Sequence, residues 1–504
     1  MAQEEQEQNM ITEEQNLSEM IRVRYEKLDK LRSEGKDPYH ITHVDIDAYA
    51  ADINAHFEDW EEKFVSLAGR IMAKRGQGKV AFYDMLDSTG RIQLFIRKDT
   101  LGEEAYEEIK SYDIGDIIGV KGEVFKTKMG QISIRVQETK LVSKSLKILP
   151  EKFHGLKDPD LRYRQRYVDL IVNPEVKDVF LTRSKLIQSI RAFMDRRGFV
   201  EVETPVLATL AGGANARPFV THHNTLDIAM YMRIALELPL KRLIVGGFDK
   251  VYEIGRVFRN EGMDATHNPE FTMLESYEAY VDYQAVMQMI EELFAHVSKE
   301  LLGTQSVVYQ DNTIELQAPF ARTRMVDLVK QYTGVNFDEM TETAQAVQAA
   351  KQLNIEVKEG WGIGKIIEEA FDVYVEANLV QPTFVTHHPV EISPLAKKDA
   401  QDQRYTERFE LFIGGKEYAN GFSELNDPVD QRERFLAQMA KKEQGDDETH
   451  PFDKDFINAL EIGLPPTGGV GIGIDRMVML FTNQHSIRDV ILFPTMKPID
   501  KKSE

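Results

Sequence analysis

Residues 251–283 read VYEIGRVFRNEGMDATHNPEFTMLESYEAYVDY, and the architecture turns on this stretch. Apolar and polar residues alternate on both sides of a polar loop, residues 262–269, which predicts two paired strands, because a period of two is the strand signature. On the returning strand that period puts Phe271, Met273, Glu275 and Tyr277 on one face, an aromatic plate beside a carboxylate and a phenol. Arg259 ends the outgoing strand, where a guanidinium can fork onto a phosphate, and His267 in the loop is a second donor. Taken alone, such a segment is more often a surface hairpin with a solvated Arg/Glu edge, so its meaning depends on its surroundings.

Residues 409–427 read FELFIGGKEYANGFSELND. Gly414 and Gly415 provide the positive φ angles of a two-residue hairpin turn. If Ile413 pairs with Lys416, Phe412 faces Glu417, and Glu410 lies diagonally from Glu417 on that face. Two such carboxylates repel unless a cation joins them, and Mg2+ with ATP oxygens suits an oxygen-only site. Asn420, Phe422 and Glu424 share a face, but strict alternation turns Glu417 to the other side; a bulge near Gly421 or a strong twist is needed to line one pocket with all four. The plain alternative is an exposed acidic hairpin. In residues 468–476, GGVGIGIDR, Gly469, Gly471 and Gly473 alternate with Val470, Ile472 and Ile474. One strand face is then bare backbone on which a flat ring can lie, with Arg476 at its end to meet phosphate or base; close helix packing explains such glycines equally well. The chain contains no GxxxxGK[ST] phosphate loop.

A chain of 504 residues exceeds what one core usually organises, so more than one domain is expected. With 42% hydrophobic and 29% charged residues it has ordinary globular composition, which excludes wholesale disorder. The absence of cysteine excludes disulfides, thiolate nucleophiles and Cys-ligated metals. No apolar run has membrane-spanning length, and the opening MAQEEQEQNM lacks the pattern of a signal peptide, so a cytoplasmic protein with no membrane partner is expected. The net charge, 62 basic minus 83 acidic or −21, argues against a polyanionic partner until it is counted locally. Residues 61–150 hold 16 Lys or Arg against 13 Asp or Glu, so this module is mildly basic within an acidic chain and can bind RNA locally.

That module alternates in short glycine-punctuated runs, among them VAFYDMLDSTG and RIQLFIRK, as expected of a small closed barrel of the OB-fold type. The expected organisation is an N-terminal extension, residues 1–57, frayed or weakly helical over its first 20 residues; an OB barrel, residues 58–150; a charged linker, residues 151–170; and an α+β domain with a largely antiparallel sheet, residues 171–504. In the last, residues 176–197 carry one apolar helix face and stop at Gly198. Strands then dominate to about residue 280, and residues 324–377 read as a helical insertion. The sequence FVTHH occurs at residues 219–223 and 384–388; adjacent histidines on a strand point apart, so packing and backbone bonding outweigh a metal site.

Together and in this order, the pieces resemble the class II aminoacyl-tRNA synthetases over nearly the whole chain. The helix followed by GFVEVETPVL (residues 198–207) is similar to the dimer-forming motif 1, FRNE with the loop to Phe271 to motif 2, and GIGIDR to motif 3, with Asp475 where the motif usually carries Glu. GGANARPF, HNPEFTMLE, NGFSELND and TNQHSIRDVILFP resemble the bacterial-type lysyl branch. The resemblance implies an OB anticodon-binding domain, an antiparallel catalytic domain, a homodimer, and ligation of L-lysine to tRNA(Lys) through a lysyl-adenylate. It assigns the α-phosphate to Arg259, the ATP end to Glu261 and His267 with support from Asn268, adenine stacking to Phe271 and Arg476, and Mg2+ to Glu410 and Glu417. The substrate α-amino group falls to Gly213 and Glu237, its carboxylate to Asn420, and its side chain to Glu275, Tyr277, Phe422 and Glu424. In the barrel, Phe82 and Gln93 match positions that stack on and read anticodon bases.

Aspartyl- or asparaginyl-tRNA synthetases share this layout, but a carboxylate substrate calls for Lys or Arg where this chain offers Glu275 and Glu424. A lysine ligase acting on a translation factor belongs to a branch without the barrel. A decayed, non-catalytic RNA-binding dimer is expected to have lost Arg259, Glu410, Glu417 or Arg476, and all are present.

Overall fold

The computed structural model describes residues 2–150, 156–214, 216–443 and 452–499, without the side chains of residues 2–17, 77 and 441–443. It contains two compact units, Met1–Leu156 and Lys157–Glu504.

The first unit opens with a helix, Ala2–Ser33, which runs through the first 20 residues, where a frayed or weakly helical start was expected, in keeping with the high helix propensity of Glu, Gln, Met and Ala. The buried Arg24 guanidinium fastens it by donating to the carbonyls of Ile114, Ser145 and Lys147 at 2.9, 3.0 and 2.7 Å. Five strands, β1 (Phe64–Gln77), β2 (Val80–Leu86), β3 (Arg91–Arg97), β4 (Ile117–Lys126) and β5 (Ile132–Ser143), close a barrel in the order β1-β2-β3-β5-β4. A register shift between Ile71 and Ala73 bends β1, so that one half pairs with β2 and the other with β4. Tyr83, Met85, Ile92, Leu94 and Ile96 alternate inward to fill the barrel, which leaves Phe82 and Gln93 on its outer face.

In the second unit, the segment expected as a linker is structured from residue 159 onward, in the helices Pro159–Arg164 and Arg166–Val172. Its charges satisfy each other: Arg166 and Asp169 are both fully buried, pair at 2.6 Å, and tie down the C-terminal segment through the carbonyl of Arg488. The remainder of that expectation, residues 151–155, lies outside the described residues. The helix Pro174–Arg196 buries Leu186, Ile190, Phe193 and Met194 and ends where Gly198 takes a φ of 79°. Burial of each of these side chains contributes about 1.5–3 kcal/mol.

Thirteen further strands follow in this unit. These are β6 (Val200–Glu201), β7 (Leu207–Ala208), β8 (Val220–His223), β9 (Ile228–Met232), β10 (Lys250–Phe258), β11 (Glu270–Ala279), β12 (Ser306–Tyr309), β13 (Asn312–Glu315), β14 (Ala321–Arg324), β15 (Thr383–Thr386), β16 (Arg408–Ile413), β17 (Lys416–Ser423) and β18 (Thr467–Gly473). Eight of them form one sheet in the order β14-β15-β16-β17-β18-β11-β10-β6. Its interior pairings are antiparallel, and the outer pairs β14–β15 and β10–β6 are parallel. The helix Tyr283–Leu302, capped by Asp282 and closed by Gly303, covers the sheet together with the helix Pro174–Arg196. The insertion between β14 and β15 is helical (Met325–Thr333, Thr343–Gln352 and Ile363–Tyr374), with its own core around Phe337, Ile366 and Phe371. One helix, Glu237–Val245, lies where strands were expected to dominate. Pro239 stands in its first turn, where a missing N–H breaks no helical bond. Among the described residues no helix is long and apolar enough to cross a membrane.

Candidate active site

The hairpin of residues 251–283 forms as expected: β10 pairs with β11, with Val257 opposite Phe271 and Glu253 opposite Glu275. The returning strand then lies along β18, with Met273, Glu275 and Tyr277 opposite Gly473, Gly471 and Gly469. On the other side of β18, Asn420 and Phe422 of β17 face Gly471 and Gly469. The glycines are therefore a floor between two walls of functional side chains. A Cβ on Gly469 would strike the Glu424 carboxylate and come within 2.5 Å of the Tyr277 ring, which accounts for the bare strand face more directly than helix packing does.

The β16–β17 turn forms at Gly414 (φ 58°) and Gly415 (φ 69°), with Ile413 opposite Lys416 and Phe412 opposite Glu417. The expected bulge is present, but not near Gly421: the register slips between Leu411 and Phe412, so that Tyr418 is the extra residue of β17. One unpaired residue reverses the alternation and brings Glu417 onto the face of Asn420, Phe422 and Glu424. Glu410 lies opposite Asn420, and its Oε1 accepts from Asn420 Nδ2 at 3.3 Å and from Arg408 Nη2 at 2.6 Å.

All fifteen residues assigned to ATP, metal or amino acid line a single cavity of about 450 Å3: Gly213, Glu237, Arg259, Glu261, His267, Asn268, Phe271, Glu275, Tyr277, Glu410, Glu417, Asn420, Phe422, Glu424 and Arg476. Phe82 and Gln93 belong to the other unit. There Phe82 stands in a row of rings, 5.1 Å from Phe95, which is 5.4 Å from Phe125, with the Arg135 guanidinium 4.6 Å from the last ring. Gln93 Oε1 accepts from Ser133 Oγ at 2.9 Å.

One end of the cavity is cationic. The Arg259 guanidinium lies 5.2 Å from the Phe271 ring, and Arg476 donates to the Glu417 carbonyl at 2.5 Å. The loop carrying His267 is organised by Asp264, which accepts from the His267 and Thr266 amides at 2.8 and 2.6 Å and meets the imidazole at 2.9 Å. Asp475 is buried; it accepts from the Thr272 amide at 2.6 Å and pairs with Arg183 of the helix Pro174–Arg196 at 2.6 Å, so both members of the Phe271/Arg476 pair adjoin a residue fixed by this network.

The other end is acidic. Buried Glu275 accepts from the Leu236 amide at 2.9 Å and from the Tyr277 hydroxyl at 3.1 Å, and burial, reinforced by Glu237, pushes its carboxyl up to about 7. Gly213, with a φ of 92°, packs so closely on Ala235 and Glu237 that a Cβ would come within 3.1 and 3.3 Å of theirs. Glu424 is buried, and no hydrogen bond reaches its Oε1. Burial also pushes the Glu410 carboxyl up to about 8; Arg408 opposes this and Glu417 adds to it.

Sequence reading passed over Asp264, Arg183, Arg408 and Lys241. The first was readable as an Asx turn in GMDATHNP, and Arg408 shares the face of Glu410 by the period of two; Arg183–Asp475 and Lys241–Glu424 are contacts between distant segments.

Residues 158–497 match the family described as tRNA synthetases class II (D, K and N), and residues 65–142 match an OB-fold nucleic acid binding domain. The chain belongs to the class II tRNA synthetases. Among its relatives, the lysine–tRNA ligase of Thermoanaerobacter sp. (strain X514) is 60% identical over 490 residues, covering 97% of this chain and 98% of that protein. The lysine–tRNA ligase of Clostridium tetani (strain Massachusetts / E88) is 54% identical over 496 residues, 98% of this chain and 99% of the relative. That of Bacillus subtilis (strain 168) is 54% identical over 497 residues, 97% of this chain and the whole of the relative. For a synthetase of this class, the cationic end of the cavity is suited to a nucleotide and the acidic end to an amino acid.

Proposed function

We propose that this synthetase activates L-lysine with ATP and transfers it to tRNA(Lys). The observation that carries the choice of amino acid is Glu424 Oε1, a buried carboxylate oxygen without a hydrogen-bond donor, at the acidic end of the cavity that Glu275 and Glu237 also line. Such an oxygen calls for a cation from the substrate. An aspartate side chain would instead require a free cation there, and Lys241, behind this wall, is already engaged by Glu237 and Glu424.

In this reading Gly213 and Glu237 take the α-amino group, Asn420 the carboxylate, and Glu275, Tyr277, Phe422 and Glu424 the side chain. Phe271 and Arg476 sandwich adenine, Arg259 holds the α-phosphate, Glu261 and His267 serve the far phosphates, and Asn268 supports them, its amide donating to the Glu270 carbonyl at 2.7 Å. The lysine carboxylate attacks the α-phosphorus in line and pyrophosphate leaves. The terminal hydroxyl of tRNA then attacks the adenylate carbonyl and AMP departs. Catalysis rests on positioning and on the Arg259 and Arg476 charges facing the transferred phosphate, with no protein base invoked. Glu410 and Glu417 fit Mg2+: they are two oxygen donors on one face, and burial, opposed by Arg408 and reinforced by Glu417, drives the Glu410 carboxyl up. Mg2+ held there would neutralise phosphate charge.

A homodimer accords with the apolar side chains exposed on and around β7, β8 and β9, among them Leu207, Val220, Leu226 and Ile228, of which Val220 is 64% exposed. Phe82 and Gln93 read the anticodon, and the place of action is the cytoplasm. The test is ATP/pyrophosphate exchange with Mg2+ and lysine, aspartate or asparagine in turn. Exchange with lysine alone is expected; exchange with either of the others would overturn the amino-acid assignment.

A further inference from the structure

Lys241 is fully buried on the helix Glu237–Val245, and its ammonium sits behind the acidic end of the cavity, against two of the carboxylates that line it. It pairs with Glu237 Oε1, one helical turn away, and with Glu424 Oε2 at the end of β17. The rings of Phe422, Phe456 and Tyr277 surround it at 5.4, 5.7 and 5.9 Å from their centroids. Glu424 is thus split between two roles: Oε2 is occupied by Lys241, whereas Oε1 lies against Gly469 with no donor.

We infer that Lys241 is a positioning residue that sets amino-acid specificity, by fixing Glu424 as an oriented anion whose free oxygen receives the substrate ammonium. This rests on the lysine reading above. The grouping of charges supports it: three carboxyl groups, those of Glu237, Glu275 and Glu424, converge at that end, and only one internal ammonium, that of Lys241, answers them. Lysine brings two ammonium groups to that end, while its carboxylate lies toward Asn420 and Arg259. A monoamine of the same length would leave one carboxylate unpaired in a buried site, a costly arrangement. Burial pushes the Glu424 carboxyl up; Lys241 pulls it down, and Glu237 and then Glu275 add to the upward push, for a net upward direction. Without Lys241 only the upward influences remain, which favours the neutral acid over the anion.

The test uses the full-length enzyme in ATP/pyrophosphate exchange, with the unsubstituted protein confirming lysine dependence first. Lys241→Met is expected to raise KM for lysine at least tenfold at pH 7 with KM for ATP within twofold. The deficit should narrow as pH rises, and Lys241→Arg should restore part of the affinity. Glu424→Gln leaves the Lys241 ammonium less compensated and facing the substrate, so adding Lys241→Met to it should recover lysine affinity relative to Glu424→Gln alone. That double variant removes both partners of the pair and gives a reading even where Lys241→Met alone does not fold. Equal rises in KM for lysine and ATP, a pH profile parallel to that of the unsubstituted enzyme, or additive losses in the double variant would overturn the inference. Failure of the unsubstituted enzyme to use lysine would instead overturn the functional reading.

Discussion

At the scale of single residues, the cavity works by placing charge where water cannot screen it. Glu275 is the clearest case, because burial and Glu237 bring its carboxyl to about 7, in the middle of the working pH range. Above that pH it is an anion facing an ammonium; below it, a neutral acid. KM for lysine is therefore expected to fall as pH rises from 6 to 8, with KM for ATP nearly flat, and Glu275→Gln should abolish the lysine-specific part of the profile. Parallel profiles for the two substrates would contradict this. The residue types were legible in the sequence, since Glu275, Tyr277 and Glu424 stand in recognisable alternation. Lys241 was not, because a lysine amid leucines on a short helix looks like an ordinary solvent-facing residue until the fold brings Glu424 to it.

At the scale of elements, β17 and β18 show how local rules combine. Gly414–Gly415 specifies the hairpin turn from sequence alone, since two successive positive φ angles are open to few other residues. The need for a bulge was also legible, because Glu417 and Glu424 are an odd number of residues apart. Its location at Tyr418 was not, since it depends on how Phe412 and Tyr418 pack in cores on either side of the sheet. The glycine floor yields a direct prediction. Gly469→Ala puts a methyl group against Glu424 and Tyr277, and overpacking of this kind costs about 1–3 kcal/mol. KM for lysine should rise by tenfold or more with a far smaller effect on KM for ATP, and an ATP effect of equal size would mean that the floor serves the nucleotide instead.

At the scale of the whole molecule, two units divide the work. Phe82 lies in the first and the cavity in the second, so Phe82→Ala should impair aminoacylation of tRNA(Lys) and leave lysine-dependent pyrophosphate exchange unchanged. Loss of one stacking platform costs about 1–3 kcal/mol per base, visible as a higher KM for tRNA; a fall in exchange activity would contradict the division. The exposed apolar face around β8 gives a second prediction. Val220→Arg should convert a dimer to a monomer in sedimentation, and an unchanged sedimentation coefficient would remove Val220 from the interface.

Sequence by itself determined the alternation of the strands, the Gly-Gly turn and the helix stop at Gly198, because these follow from backbone geometry and a period of two, whereas the full set of charged and aromatic residues that meet in the cavity came from the resemblance of its motifs to a known family. Only tertiary structure decided the pairing of Lys241 with Glu424, the bond from Arg183 to Asp475, the bulge at Tyr418 and the folding of residues 159–172 onto the C-terminal segment. The physical reason is the same in each case. The energy of a buried charge or a displaced register depends on its partner, and each partner comes from a distant part of the chain or a separate core.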